Sequence, residues 1–339
     1  MRSSSTSDPP VDAGPAGIRR AEAWALGGAV LFAAASLGVA FTAGGGAVLS
    51  HLAGLDATIL GAMLGLSLVN YLLRALRWQL FTLGLGLRVP FARNLLYYAA
   101  GFAMTTTPGK VGELIRLWFL RRWHNHGYGR GMGIAVADRL TDATAIVVLA
   151  GCGAVAFAEH AGAVGLFAVL ILAGSAMLLS PRLNGPLLGL AYRLFGRWPR
   201  AFAGLRRSLS AMAGVASPPV YGAALLLSLV GWMAEVLAFH VLLQHLGVDI
   251  GLLRATFIFT FAMFVGAIAM LPGGLGGTEV SMVGLLIASG ADFDTAVAAT
   301  IVIRGTTLWF AVAIGFAALP FALRPPARDG AAAGSEVRG

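Results

Sequence analysis

The chain has 339 residues, 58% hydrophobic and 12% charged, with a formal net charge of +9 and a mean hydropathy of +0.81. A soluble domain carries about 25% charged residues, so this composition excludes a soluble enzyme as the bulk of the chain and predicts an all-α polytopic membrane protein. One cysteine, Cys152, and six histidines without zinc-ligand spacing exclude a disulfide framework, and no metal or other cofactor is expected.

Residues 1–20 are rich in Ser, Pro, Gly and Asp and read as a disordered cytoplasmic N-terminus. A single membrane domain over 21–320 follows, and 321–339 reads as a disordered cytoplasmic tail. Apolar runs long enough to cross a ~30 Å hydrocarbon core predict six full crossings, at about 24–43, 57–77, 131–157, 163–180, 220–246 and 296–320. Two further apolar stretches, 94–120 and 255–289, are broken by Pro and Gly and read as re-entrant or paired helical hairpins. Loops 74–93, 121–130 and 181–219 hold thirteen arginines, whereas the intervening loops hold one, Arg254. By the positive-inside rule both termini face the cytoplasm, and the basic loop 181–219 lies on the inner leaflet of the plasma (inner) membrane.

The sequence repeats itself. Leu85 to Arg93 aligns with Leu246 to Arg254, Gly101-Phe-Ala-Met104 with Thr260-Phe-Ala-Met263, and Pro108 to Glu113 with Pro272 to Glu279. Ala137 to Thr141 aligns with Val302 to Thr306. The offsets are 161, 159, 164 and 165, a slowly drifting register that defines copies at about 57–158 and 220–320. The first copy leaves from an inner loop and the second from an outer one, so the copies are inverted. Inverted repeats with interrupted helices in matching positions are a transporter signature, with the site between them.

Ionisable residues inside apolar segments are costly and usually face a cavity and one another. Lys110, Glu113 and Arg116 lie in the first broken stretch, and Asp138, Arg139 and Asp142 in the span after it. Glu279 lies in the second broken stretch, Arg304 in the last span and Glu235 in span 220–246. Asp138 and Asp142, four apart, share a helix face, and each carboxylate is expected to meet Lys110, Arg116, Arg139 or Arg304. Lys110 is the only lysine in the chain, a compact point charge suited to phosphate. The helix is expected to open at Pro108-Gly109 and again at Pro272, Gly273, Gly274 and Gly277. The helix starts beyond those breaks would aim positive ends at an anion.

Taken together, Thr107-Pro-Gly-Lys-Val-Gly-Glu-Leu-Ile-Arg116, Asp138-Arg-Leu-Thr-Asp142, Pro272-Gly-Gly-Leu-Gly-Gly-Thr-Glu279 and Arg304 resemble the lysylphosphatidylglycerol synthase transmembrane (flippase-like, UPF0104) family. The resemblance covers about residues 20–320. In bifunctional members this membrane module precedes a soluble aminoacyltransferase domain and flips the product lipid. Other members stand alone, are fused to polyprenyl-phosphate sugar enzymes or accompany hopanoid synthesis. The resemblance implies a flippase-like transporter of an anionic phospholipid or a lipid-linked substrate of polyprenyl-phosphate, glycolipid or hopanoid type. It also implies a lipid-synthesising enzyme as partner, with no nucleic acid. Residues 1–339 show no soluble aminoacyltransferase segment, so enzymatic activity is not expected. A membrane-embedded transferase, or a non-catalytic subunit of a lipid-modifying enzyme, is the alternative reading. The transport reading has one inverted copy rocking against the other, driven downhill or by protons through Asp138, Asp142 or Glu279.

Overall fold

Residues 54–105, 114–124, 126–156, 189, 217–269 and 272–325 are described by the computed structural model. The predicted spans 24–43 and 163–180, loop 181–219, both termini, and Pro108, Gly109, Lys110 and Glu113 lie outside the described residues. All regular structure described is helical: α1 (Ala57–Gly84), α2 (Phe91–Gly101), α3 (Ile115–His124), α4 (Tyr128–Ala154), α5 (Pro218–His245), α6 (Leu252–Ile268), α7 (Gly277–Ala288), α8 (Phe293–Arg304) and α9 (Phe310–Ala322). A five-residue π turn, Gly305–Trp309, joins α8 to α9 in one 30-residue helix. Among the described residues, α1, α5 and this joined helix are each long and apolar enough to cross a bilayer. α4 has 27 residues, about 40 Å at the usual rise, but carries Arg130, Asp138, Arg139 and Asp142 along its length.

The first helix overruns its predicted end. Arg74 and Arg77 were expected in a cytoplasmic loop, but α1 continues to Gly84 and buries Arg77 completely. Two arginines inside a span look like a loop in a charge count; carboxylates on a distant helix are what hold them there. The six arginines of loop 181–219 lie outside the described residues.

The repeat is visible in the backbone. α1 and α5 each have 28 residues, in register at an offset of 161. Each ends in the same turn. The N–H of Gly86 donates to Leu83 O and that of Leu87 to Thr82 O; 161 residues on, Gly247 donates to Gln244 O and Val248 to Leu243 O. Both glycines sit at φ 76, a left-handed conformation that costs a side-chain-bearing residue energy. α1 and α5 pack along each other and run antiparallel. Asn70 meets Glu235, Arg77 meets Ser228 farther along, and Gly54 O near the start of α1 lies 3.3 Å from His245 Nε2 at the end of α5. The two equivalent turns therefore stand at opposite ends of the pair, which is the inversion the sequence predicts.

The copies are also exchanged. α2 of the first copy packs on α9 of the second, and α6 of the second packs on α4 of the first. Small residues permit both approaches: Gly315 lies against the backbone of Ala103, and a Cβ on Gly153 would stand 2.6 Å from Phe257 N. One apolar core joins Trp78, Tyr97, Phe119 and Ile134 to α9; another joins Leu149, Phe239, Phe259 and Ile303. Outward-facing Leu68, Leu72, Leu226 and Val280 are exposed, as a lipid-contacting surface requires. Gly153→Val should force α4 from α6 and lower the unfolding temperature in detergent. Overpacking of this kind costs about 1–3 kcal/mol, and an unchanged melting curve would show that this contact is not tight.

Candidate functional site

Arg74 and Arg77, three apart on α1, turn one face toward Asp138 and Asp142, four apart on α4. Arg77 is the hub. Its Nε and Nη2 donate to Asp138 Oδ1 at 2.9 and 2.5 Å, and its Nη1 donates to Asp142 Oδ1 and Ser228 Oγ, both at 2.5 Å. Arg74 Nη2 donates to Asp142 Oδ2 at 2.7 Å, and Arg139 Nη2 to Asp138 Oδ2 at 2.8 Å. Trp232 Nε1 adds a 3.2 Å bond to Asp142. Three guanidinium groups thus share two carboxylates, joining α1, α4 and α5. The buried charges are paired and hydrogen-bonded, the condition under which such groups are tolerated away from water. Arg139 differs from the others, because 38% of its side chain is exposed.

A second ion pair holds the glycine-rich break. Arg304, at the end of α8, donates from Nε to Glu279 Oε1 at 2.7 Å and from Nη2 to Gly273 O at 2.6 Å. Glu279 also accepts from Gly276 N at 2.7 Å. Gly273, Gly274 and Gly276 all have positive φ, so the chain between α6 and α7 takes a path that Cβ-bearing residues adopt only under strain. The break predicted at Pro272 is therefore real and clamped. The open helix start expected beyond it is not wholly free for an anion, because Glu279 already satisfies the Gly276 N–H.

Between these two networks lies a cavity of about 420 Å³. Arg74, Arg139, Arg304, Asp142 and Glu235 line it beside Tyr71, Phe102, Trp232 and Met263. Asp138 and Glu279 stand behind the wall. Arg116 does not line it; its guanidinium lies 3.8 Å from the Tyr98 ring centre, also faces Trp78 and Phe102, and is 2% exposed. The π turn follows Arg304 directly, and π turns often mark functional sites in helices. Here the Thr307 carbonyl, within that turn, accepts from the Tyr71 hydroxyl.

Of the residues singled out from sequence, Asp138, Arg139, Asp142 and Arg304 come together around the cavity, Glu279 supports it, and Arg116 packs apart. Sequence reasoning missed Arg74 and Arg77 as site residues, and it left Glu235 and its partner Asn70 unassigned. The repeat register offers a signal for two of these four, since Arg74 and Glu235 are equivalent positions 161 residues apart; Arg77 and Asn70 fall opposite Ala238 and Gly231 and have no such signal. Arg139 and Arg304 are likewise equivalent, 165 apart. Each copy contributes one residue of each pair to the cavity.

A family model described as the lysylphosphatidylglycerol synthase TM region matches residues 24–315. A UPF0104 membrane protein of Pyrococcus horikoshii is 24% identical over 275 residues, 73% of this chain and 82% of that protein. Two UPF0104 membrane proteins of Methanothermobacter thermautotrophicus are 33% identical over 102 residues and 34% identical over 94. Those two matches span 30% and 28% of the respective relatives, and the same shares of this chain.

Proposed function

Since the chain belongs to the lysylphosphatidylglycerol synthase transmembrane-region family, an integral membrane family, we propose that it moves an anionic phospholipid or lipid-linked substrate between leaflets. The observation that carries this is the cavity at the crossing of the two inverted copies, where Arg74, Arg139 and Arg304 meet aromatic walls. Inverted-repeat transporters place their sites at such a crossing, and guanidinium groups match phosphate geometry. Its volume suits a phosphate-bearing headgroup, the acyl or prenyl chains remaining in the bilayer. Arg139 is best placed to exchange a carboxylate for a headgroup, because its side chain is already partly open. Lys110 remains a proposed headgroup contact on sequence grounds.

Transport is favoured over group-transfer chemistry because Asp138, Asp142 and Glu279 are each held by an arginine, a poor state for a general base. The moving bodies are the exchanged bundles rather than the sequence halves. Rocking one half against the other would tear α2 from α9 and α6 from α4. A lipid-synthesising enzyme supplies the substrate in this reading, and the protein itself makes no covalent bond.

Native mass spectrometry of the purified protein should detect a co-purified anionic lipid that Arg139→Gln together with Arg304→Gln loses. Retention of the same lipid by the double variant would remove the cavity from the reading. In this reading the protein lies in the plasma membrane with cytoplasmic termini. Equivalent turn positions should then face opposite sides: in a Cys152→Ser background, Arg88→Cys should label only from the cytoplasm and Asp249→Cys only from outside. Labelling of both from one side would overturn the inverted topology.

A further inference from the structure

The carboxylates of the site are not alike. Asp138, Asp142 and Glu279 each contact a guanidinium within 3 Å. Glu235 is 4% exposed and lines the cavity, and among the described residues no guanidinium is ion-paired with it. Its hydrogen-bond partner is the side-chain amide of Asn70, whose Nδ2 donates to Oε1. The Oδ1 of that amide is buried and accepts nothing from the described residues. Gly231, directly opposite, leaves the room: a Cβ there would lie 2.7 Å from Asn70 Oδ1.

An arginine fixes a carboxylate in its charged form, since it only donates. A primary amide donates through nitrogen and accepts through oxygen. Asn70 serves an ionised Glu235 as it stands, and after a half-turn about its last bond it accepts from a protonated one. It is thus a partner for both protonation states, with no helix movement required.

Charge points the same way. Among the described residues that line the cavity or are ion-paired to its lining, four arginines (74, 77, 139, 304) face four carboxylates (Asp138, Asp142, Glu235, Glu279). An anion entering this set takes a guanidinium from a carboxylate, leaving an excess negative charge in a medium of low dielectric. A proton removes that excess most readily at the one carboxylate no guanidinium holds. The groups facing Glu235 are Asn70, Tyr71 and Arg74 from α1, Asp142 from α4 and Arg304 from α8, while α6 presents the apolar Met263 and Phe264.

We propose that Glu235 is a proton-binding site and that one proton enters with each anionic headgroup and leaves with it. Asn70 and Gly231 form the two-way receptacle for it. This rests on the transport reading and replaces Asp138, Asp142 and Glu279 as the route for protons. The step makes no covalent change in the lipid: a proton from water binds Glu235 Oε as the phosphate takes its guanidinium, and returns to water when the lipid departs.

Calorimetric titration of the purified full chain with phosphatidylglycerol, in buffers of different ionisation enthalpy, reads the protons taken up per lipid bound. Wild type should take up about one, with affinity rising as pH falls. Glu235→Gln should bind without uptake, its affinity flat with pH. Binding without uptake in wild type, or uptake that survives in Glu235→Gln, overturns the proposal. Infrared spectra of the lipid-free protein supply an independent reading. A protonated-carboxyl carbonyl stretch should appear as pH falls, vanish in Glu235→Gln and change midpoint in Asn70→Leu. Absence of that band in wild type overturns the proton site whether or not lipid binds. A band with no lipid binding at all leaves the proton site standing and sinks the transport reading instead.

Discussion

Arg77→Leu should be the most destabilising single substitution in the described helices. Arg77 is fully buried and is the only residue that bonds Asp138, Asp142 and Ser228 at once. Leucine fills most of the volume but makes none of these bonds, and among the described residues it leaves the buried Asp138 with the partly exposed Arg139 as its one ion-pair partner. Breaking a buried pair from one side costs about 3–5 kcal/mol, and thermal unfolding in detergent should show a loss of that order. Adding Asp138→Asn should recover much of it, because the stranded charge is then gone. If Arg77→Leu alone melts like wild type, the network is not what joins α1 to α4.

Arg139→Gln should act on transport and spare the fold. Its guanidinium lies at the outer edge of the network, and both aspartates keep an arginine without it, Asp138 through Arg77 and Asp142 through Arg74 and Arg77. The stability loss should fall near that of an exposed pair, below about 1 kcal/mol. Translocation of an anionic lipid should drop at least tenfold, the equivalent of about 1.4 kcal/mol of lost headgroup interaction. Arg139→Lys should restore part of it, since the charge survives while the fork geometry is lost. A variant that melts early and transports poorly would instead assign Arg139 to the fold.

The two effects separate along a line that was only half legible in the sequence. Apolar runs, the Pro272 break and the inverted repeat could be read directly, because membrane spans and glycine breaks leave local signals. The Arg304–Glu279 pair was readable as two charges inside matched segments. Arg77 was not, and Arg74 only through its repeat equivalent Glu235, because an arginine near the end of an apolar run looks the same whether it snorkels to water or turns inward. What turns it inward is Asp138 and Asp142, some 61 to 68 residues away. The exchange of α2 and α6 between copies was equally hidden. It depends on small residues such as Gly153 and Gly315 in a chain where glycine is everywhere. Glu235 carried no motif at all; that no described guanidinium is ion-paired with it is something only packing can reveal.

Whether the arginine-lined cavity carries an anionic headgroup across the bilayer can be measured by reconstitution. The direct measurement reconstitutes the purified chain in liposomes and follows headgroup-labelled phosphatidylglycerol from one leaflet to the other, with Arg139→Gln and Arg304→Gln in parallel. Translocation should run well above protein-free vesicles for the wild type, and near the rate of empty vesicles for both variants. Wild-type vesicles no faster than empty ones, or variants as fast as wild type, would contradict the transport reading.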